Sequence, residues 1–102
     1  MIDGLVSGRL SGEAEMREGK NATRFAVAKV RADASDGQTV VVNVIAFAPT
    51  VCSALMALSD GDALSLTGSL SPKVWSDKQG NTKPALDMVA NAVLSVHPAP
   101  AD

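Results

Sequence analysis

"QTVVVNVIAFAPTVCSALMALSDGDALSLTGSL", residues 38–70, changes its hydrophobic period twice in one short span. From Gln38 to Ala48 the period is two. Val40, Val42, Val44 and Ala46 fall on one face and Val41, Asn43, Ile45 and Phe47 on the other, which predicts a strand with apolar residues on both sides. Pro49 stops that strand. Thr50–Leu58 then follows helical spacing through Val51, Ala54, Leu55 and Leu58, and "SDGD" ends the short helix. Alternation resumes in a further strand, Ala63–Leu70.

Working outward, a first strand is expected over Leu5–Met16 and a second over Thr23–Ala32, where Phe25 and Val27 share a face. "DGQ" at Asp36–Gln38 turns the chain into the third strand. At the other end, Ala85–Val96 reads as a fifth strand with Leu86, Met88, Ala90 and Ala92 alternating. Gly8 and Gly68 lie in related settings, "VSGRLS" and "LTGSLS", and mark places where strands coil sharply or bulge, as a small closed barrel demands. Five strands with one short helix between the third and fourth predict an all-β, five-stranded Greek-key barrel of the OB-fold type. The domain is expected over residues 1–97, with 98–102 as a frayed tail.

Composition narrows the function. At 102 residues the chain is one domain, and its 46% hydrophobic content is mostly Ala, Val and Leu, so the core must be assembled from small side chains. Cys52 is the single cysteine, which excludes an internal disulfide and makes the cytoplasm the expected compartment. Cys52 and His97 are too few for a structural zinc site, a Cys–His nucleophile would require the Pro-rich tail that carries His97 to fold back, and no glycine run is followed by the Lys and helix of a phosphate loop. Neither an enzyme nor a metal or cofactor protein is expected. The start, "MIDGLVSGRLSGE", lacks the basic and apolar runs of a signal peptide, and the uncharged stretch Gln38–Ser59 alternates as a strand rather than spanning a membrane.

The net charge is −2 and the pI about 5.2, but the charges are segregated. Lys20, Arg24, Lys29 and Arg31 form a run without an acid, and Lys73, Lys78 and Lys83 face only Asp77. Such segregation can leave a positive face on an acidic protein. The sole tryptophan, Trp75, stands among those lysines in "SPKVWSDKQGNTKPALD", residues 71–87, a wet setting for the largest side chain of the protein. With Phe47 on the outward side of the third strand, it supplies a surface on which bases can stack. Packing of the Trp75 ring over its own hairpin is the structural alternative.

The residues resemble the bacterial-type single-stranded DNA-binding protein family over Leu5–Asn91. The likeness is sharpest in "NVIAFA" (43–48), "SDGDALSLTGSL" (59–70) and "KVWSDKQGN" (73–81), with Phe47, Gly61, Gly68, Trp75 and Gly80 at matching spacing. It implies sequence-independent binding of single-stranded DNA in replication, repair or recombination, with Trp75 and Phe47 stacking on bases. Arg24, Lys29, Arg31, Lys73, Lys78 and Lys83 are the expected phosphate contacts. Four engaged out of six would give a log–log salt slope near −3.

The chain departs from the family pattern in places. Val41 and Ala32 stand at or near aromatic positions, Asn43 at a basic one, and Ser59 and Asp60 at a basic pair, so weaker binding is expected. "HPAPAD" cannot serve as the acidic, Phe-ended tip that recruits repair enzymes. The expected partners are therefore single-stranded DNA and further copies of the chain, a tetramer ahead of a dimer, with no membrane. A likeness to primosomal replication protein N and a role as an OB-fold protein-interaction module are the alternatives.

Overall fold

The computed structural model describes residues 1–97, and the expected tail, 98–102, lies outside the described residues. Five strands, β1 (Ile2–Glu18), β2 (Arg24–Asp33), β3 (Thr39–Ala46), β4 (Ala63–Ser76) and β5 (Thr82–His97), close into a barrel in the order β1-β2-β3-β5-β4. One helix, α1 (Pro49–Met56), lies between β3 and β4, as the period change predicts. All ladders are antiparallel except β3–β5, where Val41–Ile45 runs parallel to Ala85–Val89.

β1 serves two neighbours. Its first half, Ile2–Arg9, pairs with β4, and from Arg9 onward it pairs with β2, with a register shift between Ser11 and Glu15. Gly12 supplies the bend with φ +75°, a conformation that costs glycine least. The loop after α1 fastens this corner: the Gly12 N–H donates to Asp60 Oδ1 at 2.7 Å, and Leu10 and the loop exchange two backbone bonds through Asp62 O and the Gly61 N–H. Asp60, which replaces a basic residue of the family pattern, thus has a structural partner.

Gly68 and Gly8 have different reasons to be glycine. Gly68 sits at a register shift of the β4–β5 ladder, and a Cβ there would run into the Val89 carbonyl. Gly8 pairs regularly, but a Cβ would meet the Arg31 carbonyl across the barrel seam. Close backbone approach explains both, and only Gly68 marks a bulge.

The interior is made of small and medium aliphatic side chains. Leu10, Leu55, Leu66, Met88, Val30 and Val42 are its largest fully buried members, and α1 plugs one end with Val51, Cys52 and Leu55. The Cys52 S–H donates to the Ala46 carbonyl at 3.2 Å, so this thiol is a core residue. None of the three aromatic side chains belongs to the buried core. The barrel is filled without them, and they remain on its surface.

The strands run further than their sequence limits. β4 continues from Leu70 to Ser76 and β5 begins at Thr82, so the expected Trp hairpin is a two-stranded extension of the barrel wall. Its turn, Asp77–Asn81, is polar as expected but internally bonded. Asp77 Oδ1 accepts the N–H groups of Gln79 and Asn81, both at 2.9 Å, and backbone bonds Asp77 N–H to Asn81 O and Gly80 N–H to Asp77 O complete it. Gly80, at φ +83°, allows the reversal.

Candidate nucleic-acid interface

The outward faces of β2 and β3 follow from strand parity. Ala26, Ala28 and Val30 are buried, which sends Phe25, Val27, Lys29 and Arg31 outward. On β3, Val42, Val44 and Ala46 are buried and Val41, Asn43 and Ile45 face out. Register then arranges these residues in rows across the barrel: Arg31–Val41–Ala85–Lys73, then Ser11–Lys29–Asn43–Asp87–Ser71, then Glu15–Val27–Ile45–Val89–Ser69. The rows form the floor of an open groove, with the β4–β5 arm standing at one end.

Trp75 and Lys83 are direct cross-strand neighbours on the groove-facing side of that arm. The Lys83 ammonium sits 5.6 Å from the Trp75 ring centroid, a cation–π contact, yet Trp75 stays 43% exposed and lines the groove beside Val41 and Ala85. At the opposite end Phe47, 50% exposed, meets Phe25 with ring centroids 5.9 Å apart and planes tilted by 49°. An offset, tilted pair of this kind holds both rings in place while leaving part of each open. Phe47, the residue after β3, lies six positions beyond Val41, roughly 20 Å of extended chain. One aromatic site thus stands at each end of an apolar and cationic floor.

Of the sequence-predicted cations, Lys29, Arg31 and Lys73 line the groove with Trp75. Lys83 is held over the indole, Lys78 is exposed in the turn, and Arg24 is exposed at the start of β2, opposite Glu18 and with the parity of the buried face. Arg24 and Lys78 are therefore not among the groove's lining residues.

Several residues in and beside the groove were not singled out from sequence. Phe25 becomes Phe47's neighbour because Ala26 pairs with Ala46, and Arg17 lines the groove because it pairs with Phe25. Glu15 also lines it, across from Val27, and bonds Arg17 at 3.4 Å. Asp87 stands in the floor itself, with Oδ1 accepting from Asn43 Nδ2 at 3.3 Å and Oδ2 lying 3.8 Å from Lys73 Nζ. Alternation alone would have assigned these faces, but partners require register. With Glu13, the groove carries three carboxylates against the cations Arg17, Lys29, Arg31 and Lys73, so its excess of positive charge is small.

Comparison with known proteins places this architecture. A family model described as the single-strand binding protein family matches residues 2–96. Among solved structures, the small single-stranded DNA-binding protein of Streptomyces coelicolor superposes with a TM-score of 0.71 at 19% identity, covering 90% of this chain and 91% of that one. The mitochondrial single-stranded DNA-binding protein of S. cerevisiae gives 0.66 at 17% identity, over 96% and 97% of the two chains. The Plasmodium falciparum SSB, solved as a complex with single-stranded DNA, gives 0.64 at 13% identity, over 93% and 96%. No curated protein matches the chain in sequence.

Proposed function

The chain belongs to the single-strand binding protein family, and from that membership we propose that it binds single-stranded DNA across the groove between Phe47 and Trp75. Bases stack at the two aromatic ends and lie on the apolar floor of Val41, Ile45 and Val89. Lys29, Arg31 and Lys83 neutralise phosphates, with Lys73 available in so far as its ion pair with Asp87 opens. Stacking does not discriminate between bases, so binding is without sequence preference. The observation that carries this reading is the exclusion of all three aromatic rings from a core already filled by aliphatic residues. No step of it requires a catalytic group, a metal or a cofactor.

A role in replication, repair or recombination, and a cytoplasmic location, follow from the substrate. The barrel acts as a homo-oligomer, a tetramer ahead of a dimer, because several large apolar side chains stay exposed outside the groove, Ile2, Leu5 and Leu94 among them. Titration of labelled oligo-dT at several salt concentrations tests the reading. Three or four neutralised phosphates at about 0.7 each give a log–log slope between about −2 and −3. A flat salt response, or equal affinity for duplex DNA, would overturn it and favour a protein-interaction module.

A further inference from the structure

Resting on that reading, we propose that Asp87 is an internal competitor of phosphate: it occupies Lys73 and keeps the DNA backbone off the middle of the groove floor. Asp87 lies in the same cross-strand row as Lys29, with Asn43 between them, two strand spacings or about 10 Å from that lysine's strand. Its carboxylate is aimed rather than loose, since Asn43 Nδ2 donates to Oδ1 while Lys73 faces Oδ2. Both Asp87 and Lys73 are about half exposed, so a phosphate reaching Lys73 meets the carboxylate beside it.

The pair does little for stability. An exposed contact at 3.8 Å contributes little. Its consequence is for binding: a phosphate drawn to Lys73 must displace a carboxylate already 3.8 Å from the ammonium, well inside the screening length of about 10 Å in 0.1 M salt, so the attraction it gains is offset by the pair it breaks. Lys73 therefore adds little to affinity while Asp87 is charged. The backbone is held instead at the rims, by Lys29 and Arg31 on one side and the Lys83 arm on the other, and the centre of the floor is left to bases. This device moderates affinity and sets where the strand lies.

The test is a double-mutant cycle on oligo-dT binding with Asp87→Asn, Lys73→Ala and both together. Asp87→Asn preserves the bond to Asn43 and removes the charge. It is expected to tighten binding about three- to tenfold at low salt and to steepen the salt slope by about 0.7, one further phosphate. Lys73→Ala is expected to weaken the Asp87→Asn protein several-fold, back to about wild-type level, and to cost the wild-type protein much less. Asp87→Ser, which also removes the charge, provides a second variant should the first fold poorly. Equal affinity and slope for wild type and Asp87→Asn, or an equal cost of Lys73→Ala in both backgrounds, overturns the proposal while leaving DNA binding intact. Failure of the wild-type protein to bind oligo-dT at low salt overturns both readings.

Discussion

Trp75 makes its cation–π contact with one cross-strand lysine, and its ring lies outside the buried core. A ring so placed can leave without opening the barrel. Because stacking on an aromatic contributes about 1–3 kcal/mol per base, Trp75→Ala is expected to weaken oligo-dT binding about tenfold or more with an unchanged unfolding transition. As the only tryptophan, its fluorescence reports the event directly: quenching by single strands and none by duplex is the expected result. A Trp75→Ala protein that melts much earlier would instead identify the ring as structural. Phe47 has a closer aromatic neighbour, and Phe25→Ala should cost binding indirectly, by freeing Phe47 to leave its tilted position. The measurement is affinity beside thermal unfolding, with a loss of affinity about equal in Phe25→Ala and Phe47→Ala expected.

At the scale of elements, the arm's turn depends on one carboxylate. The Asn81 backbone N–H chiefly, with that of Gln79 and the charge of Lys83, holds the Asp77 carboxyl below its ordinary 3.8. A depressed acid stabilises the bonded turn above the unfolded value, and this contribution is lost as pH falls through the lower native value. The amide resonances of Gln79 and Asn81 are therefore expected to hold steady at neutral pH and to shift together below pH 3.8. Asp77→Asn should abolish that titration, and a midpoint at or above 3.8 would contradict the bonded turn. The element order and the helix between β3 and β4 were legible because period two gives way to helical spacing and back within residues 38–70. The length of the arm was not. Pro72, Lys73 and Pro84 interrupt the alternation there, and the two prolines are tolerated because Pro72 lies past Leu70, where β4 last pairs with β1, and Pro84 before Ala85, where β5 first pairs with β3, so each strand has an open edge at its proline. The site was partly legible for a related reason. Phe47 and Trp75 declare themselves by type, whereas Glu15, Arg17 and Asp87 enter the groove, and Phe25 comes to lie against Phe47, only through pairings between strands.

Over the whole molecule, apolar exposure is not where composition suggested. β3, uncharged over its length, spends its outward residues on the groove floor, where Val41 and Ile45 are half-buried. The surplus lies on β1 and β5 instead, in Ile2 at 58% exposed, Leu5 at 57% and Leu94 at 55%. Beside Leu5 the outer wall is laced with polar contacts, Ser7 to Ser65 at 2.7 Å and Thr67 to Asn91 at 2.8 Å, a mixture suited to a protein interface rather than to a core. Sedimentation at micromolar concentration is expected to show an oligomer, and Leu5→Lys to shift it toward monomer. A wild-type monomer at that concentration would count against assembly.

The seam between β3 and β5 has a consequence in time. It is the one parallel ladder among the described residues, and it joins residues more than forty positions apart, while β1 reaches β4 across a still wider gap, Ile2 against Leu70. Neither neighbour of β5 can complete its hydrogen bonds until Thr82–His97 exists. During synthesis the first four strands therefore wait as an open sheet with two unpaired edges, and closure comes in one late, non-local step, the kind that folds in milliseconds to seconds rather than microseconds. A chain without Thr82–His97 therefore presents two unpaired edges, on β3 and β4, the arrangement in which this barrel is most exposed to mispairing.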